Sequence, residues 1–291
     1  MNKFIKKSLK VIFSILALLL AGYVFLIVYI HIHKEEILTK ATNKIETEIN
    51  GQVTIGDIGL SFFKKFPRIS VFLNNVEVID EQFHTHQKPF FKGKDVFVYF
   101  DVFTILQKRF SVKGVEIDQA NFYVYTDSTG YSNGYLFKPK EDTAGTNTSG
   151  IISKLVLKNV VLKDVDVTID DGQKQKLYDF HTEKLAVKIN DSDSSTMFTV
   201  KARLIINKLL FAPGSNGILK NQKVEGNFDL LYDKQLMELH TDSMDLKIGG
   251  QPFNLNFTID MKTSAPKFQI KVNKGSIPLA DVKSFLNNTS N

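Results

Sequence analysis

Two histidine pairs and one run of aspartates are the side chains in this sequence whose spacing raises a question of chemistry. His31-x-His33 and His84-x-His86 each place two imidazoles on one strand face or in one loop. A metal site needs three or four ligands and a supporting shell of hydrogen bonds. The spacing offers no third ligand, so these histidines read as solvated or interface residues and no metal is expected. Asp164, Asp166, Asp170 and Asp171 form the acidic run. Paired carboxylates can serve as acid and base, but Asp164 and Asp166 alternate with Val165 and Val167, which turns both acids toward water. The chain has no cysteine, so disulfides, thiolate metal sites and cysteine nucleophiles are excluded. No nucleophile-elbow, Walker or dinucleotide-binding glycine pattern occurs, and Gly249-Gly250 reads as a turn. The expectation is a protein without catalytic residues and without a cofactor.

The elements around these residues explain more. Val11 to Ile30, VIFSILALLLAGYVFLIVYI, is an uncharged run. As a helix rising ~1.5 Å per residue it reaches ~30 Å, the thickness of a bilayer's hydrocarbon core. Val11, Leu18, Leu20, Val24 and Ile30 mark this anchor. Lys3, Lys6, Lys7 and Lys10 precede it, whereas His31, His33, Lys34, Glu35 and Glu36 follow it. That asymmetry predicts a single-pass protein with a cytoplasmic N-terminus. A cleaved signal peptide is the competing reading, but its apolar core is shorter, about 7–15 residues. The formal net charge is +6, and the four N-terminal lysines supply most of it. The remainder is too weakly basic for a nucleic-acid partner.

Ile37, Leu38, Ala41, Ile45 and Ile49 follow at near-helical spacing, predicting an amphipathic helix that Asn50-Gly51 ends. From Gln52 the apolar period becomes two. Val53 and Ile55 alternate, as do Ile69, Val71 and Leu73. Val76 and Val78 resume out of phase after Asn74-Asn75, which predicts a turn or bulge. Phe66-Pro67 suits a strand start or edge. Phe62-Phe63-Lys64-Lys65-Phe66 reads as a strand end, with lipid headgroup contact as the alternative. Val96, Val98 and Phe100 give another strand, Asp101 caps a predicted short helix over 102–108, and Val112 to Tyr125 returns to strand. Asp127 to Gly150 is rich in turn and linker residues.

Beyond it the alternation is clean: Val165, Val167 and Ile169 before the hairpin signal Asp171-Gly172; then Leu185, Val187 and Ile189; Phe198, Val200, Ala202, Leu204 and Ile206; Phe228 and Leu230; Leu246 and Ile248; Phe253, Leu255, Phe257, Ile259 and Met261; and Phe268, Ile270 and Val272. Ser276-Ile277-Pro278 opens a predicted closing helix with Leu279, Val282, Phe285 and Leu286 on one side.

Residues 113–124 and 158–169 align without gaps. Val115/Val160, Ile117/Leu162, Ala120/Val165, Phe122/Val167 and Val124/Ile169 coincide as apolar positions. The echo points to a repeated β-unit. The domain organisation read from these signals is a basic tail (1–10), an anchor (11–30), a juxtamembrane helix (31–50), a β-domain (51–127), a linker (128–150) and a second β-segment (151–291).

The fold class is thus mainly β, a long antiparallel sheet behind one transmembrane helix. Such a sheet hides its apolar side by closing into a barrel, packing as a sandwich, or curling into a groove capped by short helices. An open groove would expose a floor that costs ~25 cal/mol per Å² in water. An acyl chain laid on it removes that cost, and a large exposed apolar surface usually binds something. Candidate groove residues are Val115, Ile117, Phe122, Val124, Val165, Val167, Ile169, Leu185, Val187, Phe198, Val200, Phe253, Leu255 and Phe257.

Gly51-Gln-Val-Thr-Ile-Gly-Asp-Ile-Gly-Leu-Ser-Phe-Phe63, Phe66-Pro-Arg-Ile-Ser-Val-Phe-Leu-Asn-Asn-Val-Glu-Val78, Phe97–Phe103, Val112–Ile117, Gln251-Pro-Phe253 and Ser276–Val282, placed behind the anchor and its helix, resemble the AsmA-like proteins of Bacteroidetes. The resemblance implies an inner-membrane protein whose bulk is periplasmic. It further implies a repeating β-groove like that of chorein-type lipid-transfer proteins and a role in outer-membrane biogenesis and phospholipid movement. It brings no catalytic residues. The implied partners are the lipid bilayer, phospholipids and other envelope proteins. Members usually continue past the segment matching Ile277–Leu286, whereas this sequence ends at Asn291. About 15 strands spaced ~4.8 Å apart would give a groove of ~70 Å. The alternative function is a tethered scaffold for outer-membrane proteins, with a filled core and an exposed strand edge. An anchored hydrolase would need a convergent polar pocket.

Overall fold

The computed structural model describes residues 49–61, 69–100, 112–137, 157–210, 220–262 and 267–275, with scattered residues between 10 and 46. The described residues between 10 and 46 are helical, apart from a turn at His33. Val11, Ile30, Ile37, Leu38, Ala41 and Ile45 lie outside the described residues, as do the segment 62–66, the helix predicted over 102–108 and the closing helix from Ser276. Among the described residues no helix is long and apolar enough to cross a membrane.

Strands dominate the rest: β1 Gly51–Ser61, β2 Ile69–Asp80, β3 Phe91–Phe100, β4 Val112–Thr126, β5 Asn159–Asp171, β6 Lys176–Asp191, β7 Ser195–Leu210, β8 Gln222–Asp233, β9 Glu238–Ile248, β10 Gln251–Asp260 and β11 Lys267–Lys274. A single helical turn, α1 (Phe83–His86), joins β2 to β3, and a 3-10 turn spans Asn133–Phe137. All eleven strands form one open, curled sheet in strict sequence order. With ten gaps of ~4.8 Å, the sheet measures about 50 Å across its strands, shorter than the length expected from sequence.

Pairing corrects the wholly antiparallel expectation at one place. β4 and β5 run parallel, while the other neighbours are antiparallel. A parallel pair cannot be joined by a hairpin and needs a long return connection, and residues 127–158 are that connection. The sheet therefore continues across the segment read as a linker. The gapless echo is the pairing register itself: Val115 faces Val160, Ile117 faces Leu162, Ala120 faces Val165, Phe122 faces Val167 and Val124 faces Ile169.

The phase slip at Asn74-Asn75 lies inside a continuous β2 whose register with both neighbours is unbroken, and Asn75 makes it by adopting the left-handed region at φ 50°. Gln119 (φ 58°) and Asp164 (φ 51°) repeat it at equivalent points of β4 and β5. Across all three strands the inward side chains change phase together, so the apolar side stays continuous.

Candidate functional site

Cross-strand partners share a face of a sheet, so the register traces what each face presents. One row runs Ile58, Leu73, Val96, Ile117, Leu162, Leu185, Ala202, Gly226, Leu246, Phe253 from β1 to β10. A second runs Val71, Val98, Val115, Val160, Val187, Val200, Phe228. On the far side of the left-handed residues a third runs Ile55, Val76, Gly93, Ala120, Val165, Thr182, Leu204, Val224. A fourth begins Val53, Val78, Phe91, Phe122, Val167, Phe180, Ile206. All the groove candidates fall on this face. Val124 and Ile169 extend it toward one margin, Phe198 lies opposite Leu230, and Leu255 and Phe257 continue it to Val272 and Ile270 of β11.

The lane is not uniform along its length. From β1 to β5 the chain covers it with its own side chains. Ile49, at the end of the N-terminal helical region, and Leu136, on the 3-10 turn, join Val53, Ile55, Val76, Phe91, Val96, Ala120 and Val165 in one buried cluster. Leu136 is 1% exposed and Val165 0%. Phe91 and Phe122 pack with ring centres 4.7 Å apart and planes tilted by 44°, and Phe90 meets Phe137 edge-on at 5.0 Å. Ile58, Leu73, Val98, Ile117 and Leu162 stay half-buried beside this cluster, as do most of the apolar side chains past β5, where Val200, Ile206, Val224 and Met244 are buried. On β11, Ile270 is 69% and Val272 58% exposed.

The turn that carries Leu136 is pinned on several sides. The Asn50 amide donates to the Leu136 carbonyl at 2.8 Å. The buried Asn133 side chain accepts from the Tyr125 amide at 2.8 Å and donates to the Tyr123 carbonyl at 2.7 Å. It thus stands in for a neighbouring strand along a free stretch of β4. Asp127 accepts from the Thr129 hydroxyl and from the Thr129 and Tyr131 amides, and these bonds, the hydroxyl first, hold its carboxyl below the usual range. Tyr131 donates to the buried Asp80 at 2.5 Å, and burial and that carboxylate push its hydroxyl well up.

Asp80 also meets His86, whose Nε2 lies 3.0 and 3.1 Å from the two carboxylate oxygens. The Lys88 amide donates to His86 Nδ1 at 3.1 Å, so the ring proton belongs on Nε2 and both nitrogens are engaged. His84, its partner in the sequence pair, is exposed, and His33 stacks on Tyr29 at 4.3 Å. The acidic run disperses. Asp164 and Asp166 are about half exposed and flank His181. Asp170 accepts from Tyr123 at 2.7 Å and from Lys88 at 3.2 Å. Asp171 holds the Lys174 amide in the β5–β6 turn at 2.8 Å. Burial pulls the Lys88 ammonium down, but its bonds to Tyr123 and Asp170 outweigh this and leave it raised.

The sequence reading missed a buried polar cluster on the opposite face. Glu116 is 0% exposed. Its carboxylate accepts from Tyr99 at 2.8 Å and pairs with Lys163 at 2.5 Å. Burial first, then Glu116, push the Tyr99 hydroxyl strongly up. In sequence, Glu116 between Val115 and Ile117 looks like an ordinary outward residue, and no local signal betrays its burial. These networks hold strands and turns together.

What the geometry presents is therefore a broad apolar surface, buried in places and half-open in others, on a sheet that does not close on itself among the described residues. No curated protein matches the chain. The AsmA family model matches residues 1–264, so the chain belongs to the AsmA family.

Proposed function

We propose that this protein handles phospholipid acyl chains on the apolar face of its sheet, without catalysis, as part of outer-membrane biogenesis. In this reading residues 11–30 anchor the chain in the bacterial inner membrane. The N-terminus is then cytoplasmic and the sheet lies in the periplasm. Support for the anchor comes from large apolar side chains on the N-terminal helix that face outward, Leu18 being 74% and Phe25 68% exposed. Such exposure is costly in water and neutral in hydrocarbon.

The observation that carries the reading is the unbroken row of apolar residues and glycine from β1 to β10, in which every member but Val96 is only half-buried. A core meant only to hold a sheet together would be covered along its whole length, as Val96 is. Phospholipid recovered with the full chain in mild detergent, above the amount recovered with an unrelated protein bearing a similar anchor, is the expected result. Recovery at the control level overturns the reading.

A second reading, a tethered scaffold for envelope proteins, draws on β11. This strand has a neighbour on one side only among the described residues and carries two well-exposed apolar side chains. A free strand edge can recruit an extended segment of a client. Disulfide trapping of a client at β11 with no lipid recovered favours this second reading.

A further inference from the structure

We infer that phospholipid heads lie along one margin of the sheet only, the one set by the turns after β5 and β9, where lysines stand strand after strand. The inference rests on the acyl-chain reading above and adds to it the side on which the head lies and the charge it carries. The four rows that make the floor contain no charged side chain. A phosphate brought onto that floor would lose its hydration with nothing to replace it. The head therefore lies past the ends of the strands, and from β6 onward the sheet offers two margins for it.

The two margins differ in charge. Lys176 opens β6, Lys208 lies near the end of β7, Lys220 precedes β8, Lys247 is next to last in β9 and Lys274 closes β11. The pairing puts all five at the same margin. None of the five has an ion-pair partner among the described residues. The acids beside them are already engaged: Asp171 by Lys174 at 3.6 Å, Glu225 by Lys223 at 3.3 Å, and Asp179, opposite Lys208, by the Asn207 side chain at 3.0 Å. The far margin carries Asp191, Asp193, Asp233, Glu238 and Asp260, which outnumber its lysines Lys188, Lys234, Lys262 and Lys267. Lys234 is tied to Asp191 at 2.9 Å, and Lys267 lies opposite Asp260. An anionic head is drawn to the first margin and repelled from the second. Each lysine is a point charge on a flexible stem, and strands are ~4.8 Å apart, so a phosphate can pass from one lysine to the next. The lipid class follows: a net-anionic phospholipid is preferred to a zwitterionic one.

The chain has no cysteine, so a single introduced cysteine can carry a fluorophore on the full chain in mild detergent. Gln251→Cys labels the lysine margin, Ser194→Cys the acidic margin and Phe257→Cys the floor. Phospholipid with a nitroxide on its head should quench the label at 251 and spare the one at 194. Phospholipid with a nitroxide in its tail should quench the label at 257. Head quenching at 194 as strong as at 251 overturns the margin while leaving the lipid reading standing. No quenching at any position by either lipid overturns the lipid reading itself. Charge is tested by recovery from an equal mixture of phosphatidylglycerol and phosphatidylcholine. The unaltered chain should retain phosphatidylglycerol preferentially. Lys220→Glu combined with Lys247→Glu should cut that preference on the order of 20-fold, since a lysine beside an anionic lipid surface is worth roughly fivefold. Lys188→Glu combined with Lys267→Glu, the same change in net charge on the other margin, should leave it in place. A preference untouched by the first pair, or lost equally with the second, overturns the assignment.

Discussion

The two halves of the sheet use one apolar pattern for different ends. From β1 to β5 the inward valines, isoleucines and phenylalanines pack under Ile49 and Leu136, and the centre reaches full burial. From β6 to β11 the same alternation continues; Val200, Ile206, Val224 and Met244 are buried, most of the others are half-buried, and exposure reaches 69% at Ile270 on β11. The pattern fixes which face is apolar; whether that face becomes core or binding surface depends on what the chain lays over it.

Substitutions in the two halves test this division. The largest effect is expected for Val165→Asp, which places an unpaired charge at a fully buried position. It should cost above about 4 kcal/mol and leave a chain that fails to melt cooperatively. Ile270→Asp, the same kind of change on the open half, should leave the melting temperature within the error set by roughly 0.5 kcal/mol. Equal losses at the two positions would erase the distinction. Next comes Leu136→Ala, expected to cost about 2–5 kcal/mol through the cavity it leaves, measured by denaturant unfolding. Tyr99→Phe should cost about 1.5–3 kcal/mol, because it strips a hydrogen bond from the buried Glu116 carboxylate.

The smallest effect is a pH dependence confined to the covered half. Tyr99 and Tyr131 have hydroxyls raised above their ordinary value of 10.0 by burial and by Glu116 and Asp80. A raised pKa means that the neutral form is favoured in the folded state. That stability is full below about pH 10 and is lost as pH climbs beyond it. Melting temperature should fall above pH 10, and less steeply in Tyr131→Phe. A slope unchanged by that substitution would remove Tyr131 from the account.

Much of the lane was legible because a period of two is a local property: Leu185, Val187, Phe198 and Val200 announce their face without reference to anything distant. The change of phase at Asn74-Asn75 showed for the same reason, although it is a left-handed residue in unbroken register and neither a turn nor a bulge. Other features depended on residues far apart in the chain. Tyr131 reaches Asp80 across 51 positions and Lys163 reaches Glu116 across 47, and nothing near either residue signals the partner. Leu136 sits in a Gly- and Ser-rich stretch that looks like linker, so its role as a cover was invisible. The parallel pair was hidden in plain view. The echo between residues 113–124 and 158–169 was read as repetition, when it also recorded the two strands lying side by side in the same direction.

That side-by-side arrangement has a consequence for how such a molecule can change in length. Adding or losing a hairpin alters an antiparallel sheet by two strands at a time. At the β4–β5 junction a stretch beginning at Lys113 and closing before Lys158 starts and finishes at the same margin. Excising it would carry β5 into the place of β4 beside β3, with every oily residue still on its own side. The junction is a joint at which the trough can gain or shed a single rung.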